Sequence, residues 1–420
     1  MTSSTLQKRN HREINSSYFR LVLILLGIFL NQSSVIFGIN MSISDICLLL
    51  LITYLFVGNK LLIPWSALFF FLTISFTTVF TAAFITPYQY NVGFEPLKIA
   101  NEYLKLVVLL FYFILGYVVM KENKMTILFE WYSKTAIIIG IIGIIFALFN
   151  IELFRDILFF GQIRFRGFMN DPNYFSVIMV SALPYFARNN KPFHVKTLLT
   201  FIVFIGVIVS GSKTGLIVLL LYLLFIFGEI IIGRIPKGYS FKTIIMILGI
   251  IIVFFVGILF QFSDIDNVSE VLPTFGRIII VFSDFDSALN EQGSGRGTAW
   301  SGAIEIIKNS PILGIGIGTY GDVVYSIANH GSIAHNTFLQ LSVEWGLLFA
   351  GFFFLYLISI LIRISKKKFN FEGIIGRDII LIMLIGSIAI SLNNVRILWL
   401  IIGGIMCNLR FEKVFYIKNR

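Results

Sequence analysis

Apolar runs separated by short polar breaks recur along the chain from Phe19 to Leu409. A helix needs roughly 20 mainly apolar residues to cross the hydrocarbon core of a bilayer, so each such run predicts a membrane span. Twelve are predicted, at residues 19–36, 41–58, 62–85, 104–120, 135–149, 173–187, 195–210, 214–233, 242–262, 336–362, 378–392 and 395–410. The last two flank Asn393 and also fit a tight hairpin or a re-entrant segment, which would make eleven spans. The pattern predicts an all-α, polytopic integral membrane protein of about 12 transmembrane helices, with one large external loop containing short helices. Residues 1–262 hold the first nine spans, 263–335 the external loop domain, and 336–420 the last three spans and a basic tail.

Composition agrees with this reading, since 57% of the 420 residues are hydrophobic and 13% charged. A soluble domain carries about 25% charged residues, so this chain lacks the means to dress a soluble surface. Cys47 and Cys407 fall within apolar stretches and read as small core residues, not a disulfide framework. Lys8, Arg9 and Arg12 precede the first apolar run, but no small-residue cleavage site follows it, so a retained first span is expected.

The net charge of +11 would raise nucleic-acid binding in a soluble protein. Here it serves topology, because cytoplasmic loops are enriched in Lys and Arg. With a cytoplasmic N-terminus and twelve spans, 23 of the 33 Lys and Arg lie inside, and the basic C-terminal tail argues for an even number of spans. Nucleic acid is not an expected partner. Ten cations remain outside: Lys98, Lys105, Arg155, Arg164, Arg166, Lys213, Arg277, Arg296, Lys308 and Arg396. An exposed arginine is usually solvated or paired with a carboxylate; the alternative is that some of these bind an anion.

The segment from Ser263 to Ala334 is long, hydrophilic and acidic, and loops of that length are usually functional. Within it Trp300, Ile304 and Ile307 recur at helical spacing between Gly297 and the Asn309-Ser310-Pro311 breaker, predicting an amphipathic helix able to lie on the bilayer surface.

Four constellations could carry chemistry. In Arg164-Phe165-Arg166-Gly167-Phe168-Met169-Asn170-Asp171-Pro172-Asn173, Asp171 or Asn173 can cap the next helix and Pro172 suits its first turn. That explanation leaves out the arginines, and two guanidinium groups beside a helix N-terminus make an anion site plausible. In Ser210-Gly211-Ser212-Lys213-Thr214-Gly215 the phosphate-loop spacing and the preceding strand are both absent. Lys213 is left as a cation at the outer mouth, or as a cap residue reaching for lipid headgroups. Arg296 precedes the amphipathic helix, where the helix dipole disfavours a cation unless an anion is present. His335 follows the glycines of Pro311 to Tyr320 and precedes Asn336, Glu344 and Gly346. Histidine, with an ordinary pKa of about 6.5, can exchange a proton near neutrality, although a lone interfacial histidine is more often a polar anchor.

Two Asp-x-Asp pairs, Asp264/Asp266 and Asp284/Asp286, lie on the outer side, away from cytoplasmic nucleotide donors, and no metal-spaced cluster of His, Cys and carboxylate stands elsewhere. No metal and no cofactor are expected.

Taken in order, Arg164, Gly167 and Asp171 to Asn173, then Ser212-Lys213-Thr214-Gly215, then Arg296 with Trp300, Pro311 with Gly314 and Gly316, and His335-Asn336 with Leu339, Glu344 and Gly346 resemble the bacterial O-antigen polymerase and ligase family of glycosyltransferases. The resemblance covers about residues 160–350. It implies transfer, on the outer (periplasmic) face of the inner membrane, of an oligosaccharide from undecaprenyl diphosphate to a sugar hydroxyl. His335 would be the catalytic base and Arg296 and Lys213 the diphosphate ligands, with Arg164 and Arg166 assisting and Asn336, Glu344 and Asn173 in support. Family members commonly carry Arg where this chain has Lys213, which keeps the charge but not the bidentate fork. The partners implied are the lipid-linked donor, a glycan acceptor on lipid, membrane lipids, and chain-length regulator and flippase proteins.

Many members of the polymerase branch of that family are rich in Ile, Phe and Asn, as this chain is, so the resemblance implies a repeat-unit polymerase, with a ligase acting on the lipid A core as the alternative. A transporter or flippase of the same lipid-linked sugars would be expected to carry ionisable residues at span centres and repeated halves, whereas ionisable residues are nearly absent from these span centres and no internal repeat is found. A scaffold that only binds the polysaccharide machinery is the remaining reading.

Overall fold

The computed structural model describes residues 17–33, 41–232, 249, 296–328, 334–366, 370–409 and 414–416. In chain order the helices are α1 (Ser17–Phe29), α2 (Ile43–Val57), α3 (Trp65–Phe80), α4 (Thr86–Tyr90), α5 (Pro96–Lys121), α6 (Met125–Leu148), α7 (Arg155–Leu158), α8 (Pro172–Ser181), α9 (Leu183–Arg188), α10 (Phe193–Val209) and α11 (Lys213–Ile231). They continue as α12 (Arg296–Asn309), α13 (Tyr320–Ala328), α14 (Thr337–Lys366), α15 (Phe371–Gly386) and α16 (Arg396–Asn408). A π-helical stretch, Thr81–Ile85, joins α3 to α4.

Helices stand at every predicted span except 242–262, which apart from residue 249 lies outside the described residues, as do Arg277 and both Asp-x-Asp pairs. Among the described residues five are long and apolar enough to cross a membrane: Trp65–Tyr90, Pro96–Lys121, Met125–Leu148, Lys213–Ile231 and Thr337–Ser365. The chain is a multi-pass membrane protein. The count of twelve rests on the sequence pattern.

Several boundaries differ from those predicted. Helix α5 starts at Pro96, not at 104, because proline suits the first helical turn and the polar residues there pair with one another, Lys105 with Glu102 at 2.5 Å. Helix α6 extends back to Met125 through a similar pair, Lys134 with Glu130 at 2.5 Å. The span predicted at 378–392 is helical from Phe371 to Gly386, because Asn370 caps it by accepting from the Gly373 N–H at 3.1 Å. Its last residues instead form the non-helical stretch 387–395.

The all-α expectation needs one amendment, two short antiparallel pairs. β1 (Leu62–Pro64) pairs with β4 (Val414–Tyr416), and β2 (Phe159–Phe160) with β3 (Arg164–Phe165).

Two cores result. The larger joins the apolar helices and includes the close crossing of α5 and α16, where a Cβ on Gly116 would meet the Leu400 carbonyl oxygen at 1.8 Å. Backbones approach this closely in membranes only where small residues permit it. The smaller joins α12, α13 and the start of α14 through Ala303, Ile306, Ile315, Val323, Val324 and Val343. It shifts the predicted stripe of α12. Ala299, Ala303 and Ile306 are the buried residues, with Trp300 and Ile307 at the edge, whereas Ile304 is exposed. Helix α12 therefore packs on protein through its alanine face.

Candidate functional site

The Gly314-Ile315-Gly316-Ile317-Gly318 segment positions one wall of the site. All three glycines have positive φ, 65°, 78° and 80°. Helix α14 breaks at Gly346 (φ 76°, ψ 163°), and the segment docks into that break: Ile315 N–H donates to the Val343 carbonyl at 2.9 Å and Gly316 N–H to the Glu344 carbonyl at 3.1 Å. On its other side a Cβ on Gly316 would meet the Thr78 carbonyl oxygen at 2.3 Å, next to the π-helical stretch. Only glycine fits there. The motif is thus a packing device that carries Tyr320 toward Glu344.

The second wall is the start of α14. His335 adopts φ 46°, an unusual conformation for a non-glycine residue. The residues after it are bolted to 387–395: Asn336 Nδ2 donates to the Ile388 carbonyl at 2.9 Å, and Thr337 Oγ1 to the Ile390 carbonyl at 2.8 Å. Asn336 Oδ1 also caps α14 by accepting from Leu339 N–H at 3.1 Å. On the outer helices, Trp300 Nε1 donates to the Ala334 carbonyl at 2.8 Å, so α12 is tied to the residue before His335.

Between these walls lies a cavity of about 840 Å³. His335, Glu344 and Asn173 line it, together with Tyr320, Gln340, Ser391, Asn393 and Asn394. Its charged lining includes Lys98, Glu102, Lys105, Asp171 and Arg396. Asp171 caps α8, accepting from Asn173 N–H at 2.7 Å and Tyr174 N–H at 3.2 Å, as its place before Pro172 predicts. Arg396 makes a two-bond pair with Asp45, both distances 2.6 Å, and Tyr112 Oη donates to the same carboxylate at 2.9 Å. Lys98 pairs with Asp322 of α13 at 2.8 Å. Burial, reinforced by the nearby Glu344 charge, pushes the Tyr320 hydroxyl up from its ordinary pKa, so it is a neutral group at physiological pH.

The sequence-derived residues are brought together only in part. Arg164 stands one contact behind the cavity wall, donating from Nη2 to Asn173 Oδ1 and from Nε to the Ser210 carbonyl, each at 3.1 Å. It thereby links the cavity to the turn that ends at Lys213. In that turn Ser212 caps α11, accepting from Gly215 N–H at 3.0 Å, and Lys213 is the first helical residue. Arg166 is not brought to the cavity; it donates to the carbonyls of Ile157 and Asp156, each at 3.1 Å, and secures the loop before β3. Arg296 begins α12 four residues before Trp300, and its side chain lies outside the described residues.

Glu102, Gln340, Ser391 and Asn394 line the cavity and were missed by the sequence reading, which singled out Lys98, Lys105 and Arg396 only as external cations. Glu102 falls between Lys98 and Lys105 at i, i+4 and i+7, and Gln340 between Asn336 and Glu344 at i, i+4 and i+8, polar stripes at the start of a span. Asn394 stands between Asn393 and Arg396 where they interrupt an apolar hairpin. Each pattern was available as a signal.

Fold and cavity together define a multi-pass membrane protein with a polar, charge-lined chamber between its smaller helical core and its membrane helices. Residues 198–356 match the family model described as O-antigen ligase. The match bears out the resemblance to the O-antigen polymerase and ligase family and takes in Lys213, Arg296, His335, Asn336 and Glu344, while Arg164, Arg166 and Asn173 precede it. No curated protein matches the chain.

Proposed function

We propose that the protein is a membrane glycosyltransferase that moves an oligosaccharide from undecaprenyl diphosphate to a sugar hydroxyl on the outer face of the inner membrane. The observation that carries this reading is the position of His335, which lines the cavity beside Glu344 and Asn173 within the matched family segment. A sugar hydroxyl is a poor nucleophile near neutrality, and a positioned base that takes its proton as it attacks helps the reaction. The leaving diphosphate gains negative charge, which Arg164 and Lys213, from the side of the cavity behind Asn173, would stabilise together with Arg296. No step in this scheme calls for a metal.

Repeat-unit polymerization is the activity we favour, on the chain's Ile-, Phe- and Asn-rich composition. Ligation onto the lipid A core is the second reading, supported by the description of the matching family. Surface polysaccharide from a strain lacking the gene separates them on a gel. A core bearing a single repeat means polymerase; a bare core with lipid-linked polymer accumulating means ligase. An unchanged ladder would overturn both in favour of a transporter or a scaffold.

A further inference from the structure

The cavity holds polar groups that the proposed transfer scheme leaves unused. Tyr320 is 4% exposed and Gln340 9%. The Tyr320 hydroxyl lies beside the Ala334 backbone, and among the described residues no hydrogen bond of acceptable geometry is made by it, by Gln340 Oε1 or by Ser391 Oγ. All three residues line the same chamber. The amide orientation of Gln340 is fixed from its other end, because Nε2 donates to Glu344 Oε1 at 2.9 Å, which leaves Oε1 as the free acceptor.

The charges of the chamber point to what these groups receive. Each cation that lines it is already neutralised: Lys98 by Asp322 at 2.8 Å and Glu95 at 3.1 Å, Lys105 by Glu102 at 2.5 Å, and Arg396 by Asp45 at 2.6 Å. Glu344 makes no salt bridge among the described residues, and Asp171 is engaged only in capping α8. An anionic group entering here would meet cations already paired with carboxylates. A sugar hydroxyl, which both donates and accepts, suits an acceptor amide oxygen, two hydroxyls and a carboxylate.

We infer that Tyr320, Gln340, Ser391 and Glu344 form the subsite for the acceptor sugar, and that this subsite selects an uncharged or amino-bearing ring over an acidic one. The inference rests on the transferase reading above for the word acceptor; the sugar selectivity stands on the chamber alone. It separates the two substrates in space. The ring is held beside His335 in the chamber of paired charges, and the diphosphate is held behind Asn173, where Arg164 and the Lys213 turn stand.

The test uses the full chain in lipid nanodiscs and ligand-observed saturation-transfer NMR with three probes at equal concentration: N-acetylglucosamine, glucosamine and glucuronic acid. The first two are expected to give signal and glucuronic acid none. Tyr320→Phe and Gln340→Leu should each cut the N-acetylglucosamine signal at least threefold, and Glu344→Gln should abolish the discrimination between glucosamine and glucuronic acid. Ser391→Ala, on the half-buried loop, carries the same expectation if a core variant does not fold. Glucuronic acid signal equal to that of the neutral sugar, or an unchanged N-acetylglucosamine signal in the folded variants, overturns the subsite. Polysaccharide assembly by His335→Ala is scored separately. A ladder lost there with the probe pattern contradicted would sink the subsite and leave the transferase, whereas the probe pattern upheld with a normal ladder would do the reverse.

Discussion

Two charged regions of this molecule use the same residue types to different ends. Where the ends of α9 and α11 meet the middle of α15, Arg188, Glu229, Arg377 and Asp378 form a closed cluster. Arg377 bonds Glu229 at 2.8 and 3.0 Å and Asp378 at 2.6 Å, Arg188 bonds both carboxylates at 2.5 and 2.7 Å, and Tyr222 donates to Asp378 at 3.1 Å. These four side chains are 0–8% exposed. Around the chamber the ion pairs are open, from 10% exposed at Asp45 to 54% at Glu95, and they stand among polar atoms with no partner. A buried charge cluster whose bonds are complete holds helices together; an open one with bonds left to make is suited to bind. Two of the cluster's arginines, Arg188 and Arg377, also show that a cation on the expected inner side is not always there for topology.

The largest effect should come from breaking the closed cluster. Arg377→Ala leaves Glu229 and Asp378 short of a counter-charge in a buried setting, which costs roughly 3–5 kcal/mol. Thermal melting of the purified protein should show a large drop, and unchanged melting would mean the cluster is not structural. Next is the packing that shapes the chamber. Gly316→Val places side-chain atoms against the Thr78 carbonyl and the Ala82 N–H, 2.3 and 2.4 Å from an added Cβ, at a positive φ. Overpacking and strain together should cost about 2–4 kcal/mol, with product falling alongside. A smaller loss is expected for Arg164→Lys, since lysine lacks the planar fork that reaches Asn173 and Ser210 at once. One missing bond of about 1 kcal/mol corresponds to roughly fivefold slower transfer at unchanged melting; wild-type rates would detach Arg164 from the chamber. Smallest should be Arg166→Ala, which removes two exposed loop contacts and should leave transfer within about twofold, inside the usual range for surface changes of about 0.5 kcal/mol.

The contrast also shows what the sequence could reveal. Span positions were legible because a membrane helix writes its length directly into hydropathy. The Asp171-Pro172 cap and the helix ending at Asn309 followed from local rules that act over one turn. His335, Asn173 and Glu344 could be singled out one by one, but their convergence on one chamber depends on α8, α14 and the 387–395 loop meeting, and no local pattern encodes that. Arg166 shows the reverse limit: two arginines two residues apart in β3 and its flank look equivalent in sequence, yet one faces Asn173 and the other the Ile157 carbonyl. The stripe of α12 was placed on the large apolar residues, whereas packing against α13 and α14 selected the small alanines.

The central claim is that the chamber beside His335 is where transfer occurs. The direct measurement is polysaccharide assembly in a strain lacking the gene and carrying either wild type or His335→Ala, with the membrane level of each protein measured alongside. Loss of a general base typically slows a reaction about 10²–10⁴-fold, so the account predicts that His335→Ala reaches the membrane at wild-type amounts and produces no ladder. A normal ladder from that variant would contradict it.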